Sequence, residues 1–466
     1  KHCGAEYLWD VADEHGLTPF VLNYPAGWPS NFKEGAMSLL TWPLPESLPR
    51  TVSYPTKVKF TKDASKPKLS MKKAENLPEG LKSHSPAQKV EISVKNRDIE
   101  KPALLTGFIL DARGKGYDAV AVSPQEKQEF QIVKEGEWSD WISMEVDTSH
   151  GRLPCLFRVK VLELSNDGSS VRLKFSNFYN TKGCAVPEGF GEKLIRRSME
   201  YEDASEQEVD YMISGKVKKY LAHARQEALT ISKAVEMAKE EIDWKTCFFH
   251  IHLLDSVNHR TLAKLHQGSP FYEEKTEKES MKYVETAYKI VDELVGLLLE
   301  SVVDEETIVV FISDHGAIPT WKMVNIPLAL TNVGLMNYKW NGSKNRFEVD
   351  WNNTKAFPYL EPPYIWVNLK GRDPNGIVEP RDYDSVRESI INTLHDLRDP
   401  ETGDRIIKLA LTREEAGFMG QNGERCGDVV YYLNPPYALF DGILEALNTA
   451  ERSPYLMTKP LIYQAS

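Results

Sequence analysis

Apolar and polar positions recur with two different periods along this chain, and the change of period divides it. Between residues 90 and 179 the period is two. Runs rich in Val, Ile, Leu and Phe at 90–94, 104–110, 117–122, 130–133, 138–146, 156–164 and 171–178 read as strands, with turn signals at Arg113-Gly-Lys-Gly116 and Asn166-Asp-Gly168. This is the texture of an antiparallel insert. Outside it, helical spacing appears. Residues 190–244 carry Tyr220, Ala224, Ala228, Ile231, Val235 and Ala238 at that spacing, and residues 279–302 carry Val284, Ala287, Ile290, Val291, Leu294, Val295 and Leu298.

Two apolar runs flank the second of these helices. The first, 248–255, ends in Asp255. The second, 308–312, is apolar and β-branched or aromatic throughout, as a strand covered on both faces should be, and Ser313, Asp314, His315 and Gly316 follow at once. Strand, helix, strand predicts a βαβ unit with a right-handed crossover and both strand ends on one edge. His259 lies four residues beyond Asp255, and positions i and i+4 of a helical turn face the same way. The topology therefore predicts that Asp255, His259, Asp314 and His315 share one rim. Ligands collect beyond the carboxyl ends of strands in open α/β sheets. A carboxylate beside an imidazole there suits a divalent metal such as zinc.

Elsewhere, residues 6–15 predict a short helix closed by Gly16, and 18–24 a strand with a loop at Pro25 to Pro29. Residues 43–89 are rich in Pro, Lys and Ser and read as an exposed, irregular excursion. Residues 317–363 read as loop-rich. A strand at 364–369, a helix at 382–397 and strands at 406–411 and 428–433 follow. The expected fold is α/β: a mainly parallel sheet with helices on both faces, interrupted by an antiparallel β insert and a helical segment. Four portions are expected: 1–42, the first part of the α/β domain; 43–189, the excursion and insert; 190–246, the helical segment; and 247–466, the main metal-site portion.

At 466 residues the chain can bury a large core. A net charge of -11 argues against a duplex nucleic-acid binder relying on a basic surface, but not against an anionic substrate at a metal. No apolar stretch is long enough to span a membrane. Five widely spaced cysteines, Cys3, Cys155, Cys184, Cys247 and Cys426, form neither a zinc-finger pattern nor a disulfide framework, which leans toward a reducing, cytoplasmic compartment. The first residues lack a Met and an apolar signal core, so they read as a chain cut from something longer.

The order Asp255-x-x-x-His259, then Asp314-His315-Gly316, on consecutive strands resembles the alkaline phosphatase superfamily, in its type I phosphodiesterase/nucleotide pyrophosphatase-like branch. Further likeness lies in Leu8-Trp-Asp-Val11 with Gly16, Pro25-Ala-Gly-Trp-Pro29 and Gly136-Glu-Trp-Ser-Asp-Trp141. It continues in Gly371-Arg-Asp-Pro374 with Gly376-Ile-Val378, and in Asp399-Pro-Glu-Thr-Gly403. The resemblance implies a two-metal phosphoric-ester hydrolase using zinc or manganese, with Asp255 and His259 on one metal and Asp314 and His315 on the other. Two metals roughly 3.5–4 Å apart would clamp the attacking and leaving oxygens of an in-line displacement. The substrate class implied is a small-molecule phosphoester.

This sequence departs from the family pattern at both ends. The family's first Asp ligand and its Thr or Ser nucleophile precede the stretch matching Leu8 to Asp10, so no nucleophile is assignable. No His follows His395, which falls in the 382–397 helix, so a C-terminal His ligand is lacking too. The missing parts would come from a longer chain or from a companion fragment or subunit. Two other readings stand beside the hydrolase: a non-catalytic structural or interaction subunit keeping the fold, and a sulfatase or phosphomutase relative. Bland readings apply to other residues. Asp314-His315 alone suits a strand-end turn. His250 and His252 read as packed core histidines, and His266 as a solvent-exposed loop residue. Trp138 and Trp141 read as packing for the insert. Arg372 either pairs with phosphate or bonds carbonyls and a carboxylate. Asn258 could orient a metal ligand, and the Lys-rich stretch 57–73 reads as a solvated loop.

Overall fold

The structure is a computed structural model describing residues 5–24, 26–41, 44, 48–62, 71–96, 98–199, 216–359, 363–439 and 456–458. Cys3, Pro25, the middle of the Lys-rich stretch and the last eight residues of the chain lie outside the described residues. The chain forms two compact units: Lys1–Leu253 with Thr286–Val310, and Leu254–Glu285 with Phe311–Ser466.

The first unit holds a four-stranded sheet in the order Ala185–Val186, Ala36–Ser38, Pro19–Leu22, Thr246–Phe249. Pro19–Leu22 runs parallel to both of its neighbours and is buried throughout. The chain leaves it through Asn23, at φ 62° and fully buried. The Asn23 amide donates to Thr41 Oγ1 at 2.6 Å and accepts the Thr41 N–H at 2.9 Å, so both polar ends are satisfied. Helix Leu8–Glu14 lays Trp9 on this sheet, stacked on Tyr7 and edge-on to Phe248. Helices Glu188–Ser198 and Val217–Ile242 complete this part, at the spacing the sequence predicts.

The named strands of the insert pair antiparallel, and a single parallel bridge joins Glu135 to Val161. A five-stranded sheet runs in the order Lys72–Lys73, Gln88–Val94, Ala103–Leu110, Ala119–Pro124, Gln131–Lys134. Two smaller sheets share its apolar core, in which Phe157 stacks on Phe178 at 4.1 Å between ring centroids. Two predicted strands are each broken in two. Gly151–Phe157 and Val159–Leu164 change sheets at Arg158, and Ser170–Phe175 and Phe178–Asn180 do so at Asn177. The excursion at 43–89 is less irregular than its composition suggests. Thr51–Ser53 and Thr56–Thr61 pair as strands with the insert, and Val52 and Phe60 enter its core. Their Lys-rich outer positions hide a period of two that only the partner strands make legible.

In the second unit, helix Tyr383–Asp396 packs on an antiparallel sheet ordered Ala356–Tyr359, Tyr364–Val367, Val429–Leu433, Ile407–Thr412. A smaller sheet places Lys322–Val324 between Tyr437–Leu439 and Leu456–Thr458. The segment expected to be loop-rich, 317–363, contains the strands Lys322–Val324, Tyr338–Asn341, Arg346–Val349 and Ala356–Tyr359 and the helix Ile326–Asn332. Elements this short fall below the window in which periodicity is legible.

The α/β class holds, but the mainly parallel sheet does not. Among the described residues, parallel strand pairing is confined to Pro19–Leu22 with its two neighbours and to Lys322–Val324 with Tyr437–Leu439. The βαβ unit is half formed. Its helix, Glu274–Ser301, is present, and so is its first strand, which stops at Phe249. Residues 308–312 form no strand; they are exposed, Ile308 at 88% and Ile312 at 79%. Thr246–Phe249 is correspondingly an edge strand, half-buried along its length.

Candidate functional site

Asp255 does not end a strand. Three residues separate Phe249 from the helix Leu253–Leu265, and Asp255 sits in that helix's first turn. A carboxylate there is favoured by the unpaired N–H groups and the positive end of the helix dipole. One turn on, His259 Nε2 lies 3.2 Å from Asp255 Oδ2, both side chains about three-quarters buried or more. The i, i+4 spacing thus brings this pair together as predicted. Asn258 is half-buried on the same helix.

Asp314 and His315 lie on the exposed segment. His315 Nε2 is 3.6 Å from Asp314 Oδ2, too long for a hydrogen bond. The backbone organises the pair instead: the His315 N–H donates to Asp314 Oδ1 at 3.1 Å, and Ser313 Oγ donates to the His315 carbonyl at 2.6 Å. His315 Nδ1 is 2.9 Å from the Gly316 carbonyl. A carbonyl only accepts, so Nδ1 is the donor, and in the neutral ring Nε2 keeps its lone pair beside the carboxylate.

Each pair joins a hard oxygen to an imidazole nitrogen, a donor chemistry that suits zinc or manganese. The number of donors does not. A tetrahedral site wants four, and among the described residues no group of three or more His, Cys, Asp or Glu side chains gathers around a common point. The structure thus brings together the members of each pair but not the two pairs.

Other residues singled out from the sequence have structural work. His250 and His252 follow the edge strand with ring centroids 5.6 Å apart, and Tyr24 lies edge-on to His250. His266 is exposed and tilted against Trp321 at 5.2 Å. Trp141 donates its indole N–H to the Arg196 carbonyl at 3.0 Å, tying the insert to helix Glu188–Ser198. Arg372 takes the structural alternative. Nη1 and Nη2 grip Asp428 at 2.7 and 2.8 Å, Nε donates to Asp373 at 3.1 Å, and the guanidinium lies over Trp366.

Asp428 is the polar hub that sequence reasoning missed. It is fully buried and also accepts from Tyr383 Oη and the Val367 N–H at 2.7 Å each and from Arg413 at 2.9 Å. Burial alone would raise its pKa. The hydrogen bonds from Arg372, Tyr383 and Val367 outweigh burial and hold the carboxyl below its ordinary value. A lone Asp at the start of an apolar run was the available signal, the mirror of Asp314, which stands just after one.

The other motifs carrying the resemblance are structural as well. Asp399 accepts from Tyr437 Oη at 2.8 Å and from the Glu401 N–H at 2.9 Å, and it pairs with Lys322. Gly376 is required by close approach: a Cβ there would fall 2.1 Å from the Leu369 carbonyl oxygen.

The family model for type I phosphodiesterase / nucleotide pyrophosphatase matches residues 169–455, more than half of the chain, and the match contains both acid–imidazole pairs. The chain belongs to this family. It is thereby a member of the alkaline phosphatase superfamily. The likenesses at Leu8–Asp10 and Gly136–Trp141 lie outside the matched residues. Phosphoester hydrolysis is the chemistry the family membership suggests, and the family is generally metal-dependent. No curated protein and no solved structure matches the chain.

Proposed function

We propose that this phosphodiesterase-family chain carries the metal-ligand side of a phosphoester-hydrolysing centre. In this reading Asp255 with His259 is the half-site for one divalent ion, and Asp314 with His315 the half-site for a second. Zinc is the favoured ion and manganese the alternative. The substrate is a small-molecule phosphoester.

The observation that carries the reading is the coincidence of chemistry and family. Two carboxylate–imidazole pairs, each with its members side by side, fall inside the family match in the order the resemblance requires. When bound, divalent ions supply positive charge to the phosphoryl oxygens. The chain's own residues contribute orientation. Asp255 stands in the first turn of its helix, and the Gly316 carbonyl fixes the His315 tautomer, as the outer partner of a ligating imidazole commonly does.

The test is a metal count on the protein loaded with zinc or manganese, together with hydrolysis of an activated phosphodiester. Asp255→Asn and Asp314→Asn should each lower the bound-metal stoichiometry and the rate. Unchanged stoichiometry and unchanged hydrolysis in both variants would sink the assignment. A folded complete protein that takes up no metal and hydrolyses nothing would instead support the interaction-subunit alternative.

A further inference from the structure

The helix that carries Asp255 and His259 meets the segment that carries Asp314 and His315 in a ring contact that the hydrolase reading does not use. Both pairs and both rings belong to the second unit. His266 is the first residue beyond helix Leu253–Leu265, seven residues after His259. Trp321 follows His315 by six residues. The centroids of the His266 and Trp321 rings are 5.2 Å apart, with the planes inclined by 41°.

Each ring is anchored through nearby backbone. The Gly268 N–H donates to His266 Nδ1 at 3.1 Å, and the Ser269 N–H donates to the His266 carbonyl at 2.9 Å. These bonds hold an exposed imidazole in one orientation. On the other side, residues 311–316 are exposed at every position, and Thr320 and Trp321 are the first buried side chains after His315. The Trp321 N–H donates to the Pro436 carbonyl at 3.0 Å, and the Lys322 N–H does so at 3.2 Å, where Lys322–Val324 enters the middle of its sheet. Trp321 is therefore the point at which the fold takes hold of the Asp314–His315 segment, and His266 is the ring laid against that point.

We propose that this contact is the joint that positions one acid–imidazole pair relative to the other, with His266 as its positioning residue. The proposal rests on the two-half-site reading. Along the helix, His259 is about 10 Å from His266. Even a fully extended chain keeps His315 within about 20 Å of Trp321. With the contact made, the two pairs are confined to a common small volume. Without it they are tethered only through residues 260–313, and the effective concentration of one pair at the other falls. A ring pair of this kind biases an equilibrium by about two- to tenfold.

His266→Ser and His266→Phe in the full chain test this, with two readouts. The first is backbone hydrogen exchange at the Trp321 and Lys322 amides. The second is hydrolysis of an activated phosphodiester with zinc present. H266S should speed exchange and lower kcat, each by about two- to tenfold, with KM and urea unfolding unchanged because the side chain is exposed. H266F keeps a ring against Trp321 and should restore both. Exchange in H266S equal to wild type, or no recovery in H266F, would overturn the proposal. So would faster exchange with unchanged hydrolysis by a protein whose wild type is active. A wild type that takes up no zinc and hydrolyses nothing removes the half-site reading instead; the exchange comparison then decides by itself whether His266 holds the segment.

Discussion

Residues 429–433 and 308–312 are both five-residue apolar runs with an aspartate close by, and they meet opposite fates. Val429–Leu433 lies between Tyr364–Val367 and Ile407–Thr412, with Val429, Val430 and Tyr431 fully buried and Asp428 gripped by two arginines. Ile308 to Ile312 is exposed, and Asp314 engages its own neighbour His315. The difference lies in where partners come from. Ile407–Thr412 precedes its partner strand by sixteen residues and pairs antiparallel. The run at 308–312 was expected to pair parallel to Thr246–Phe249, across the whole of Glu274–Ser301. Parallel pairing needs such a crossover and forms no local hairpin. An apolar run therefore specifies a wish to be buried, not a partner.

The sharpest way to break this contrast is Asp428→Ala. Removing this buried carboxylate leaves Arg413 without its counter-charge and Arg372 with Asp373 alone, at about 3–5 kcal/mol, measured by urea unfolding. A change near zero would mean the hub is ornamental. Val430→Asp should cost a similar amount, about 3 kcal/mol or more, by placing an uncompensated charge beside buried Ala416 and Cys426. At the exposed pair, Asp314→Ala should leave unfolding unchanged while lowering hydrolysis by the complete protein at least about a hundredfold, close to 2.7 kcal/mol in the barrier. Comparing the two readouts separates a ligand from a turn residue.

Val310→Asp is the smallest effect and the most informative. At an exposed site it should cost under about 0.5 kcal/mol. A loss above about 2 kcal/mol would show that the run is buried in solution and would erase the contrast with Val430. A pH series adds a last distinction. The folded pKa of Asp428 lies below its unfolded value. Its contribution is therefore complete above about pH 4 and is lost as pH falls through the lower folded value. Acid titration of wild type against Asp428→Asn should converge below that window and diverge above it.

Much of the architecture was legible before any coordinates. The helices at 8–14, 217–242, 274–301 and 383–396 and most insert strands follow from periods of 3.6 and 2. The sheet change at Arg158 was not legible, since Leu153, Cys155, Phe157, Val159 and Val161 keep one alternation across it; at Asn177 the apolar positions shift from Phe175 to Phe178. At the site, Asp255 and His259 were readable as a pair because a helix enforces i, i+4 contact locally, even though the expected strand end proved to be a helix start. The fate of Asp428 was not readable. Its partners Arg372, Tyr383, Arg413 and Val367 come from four separate stretches.

By itself, then, the sequence determined what depends on neighbours along the chain: helix faces, hairpin strands, the two acid–imidazole pairs and the family to which they belong. Only the tertiary structure decided which apolar run is central and which stands exposed, and which arginine is consumed by a buried carboxylate. Those outcomes depend on pairings between distant segments. The loop-closure cost of such pairings and the competition among possible partners leave no periodic trace in the residues themselves.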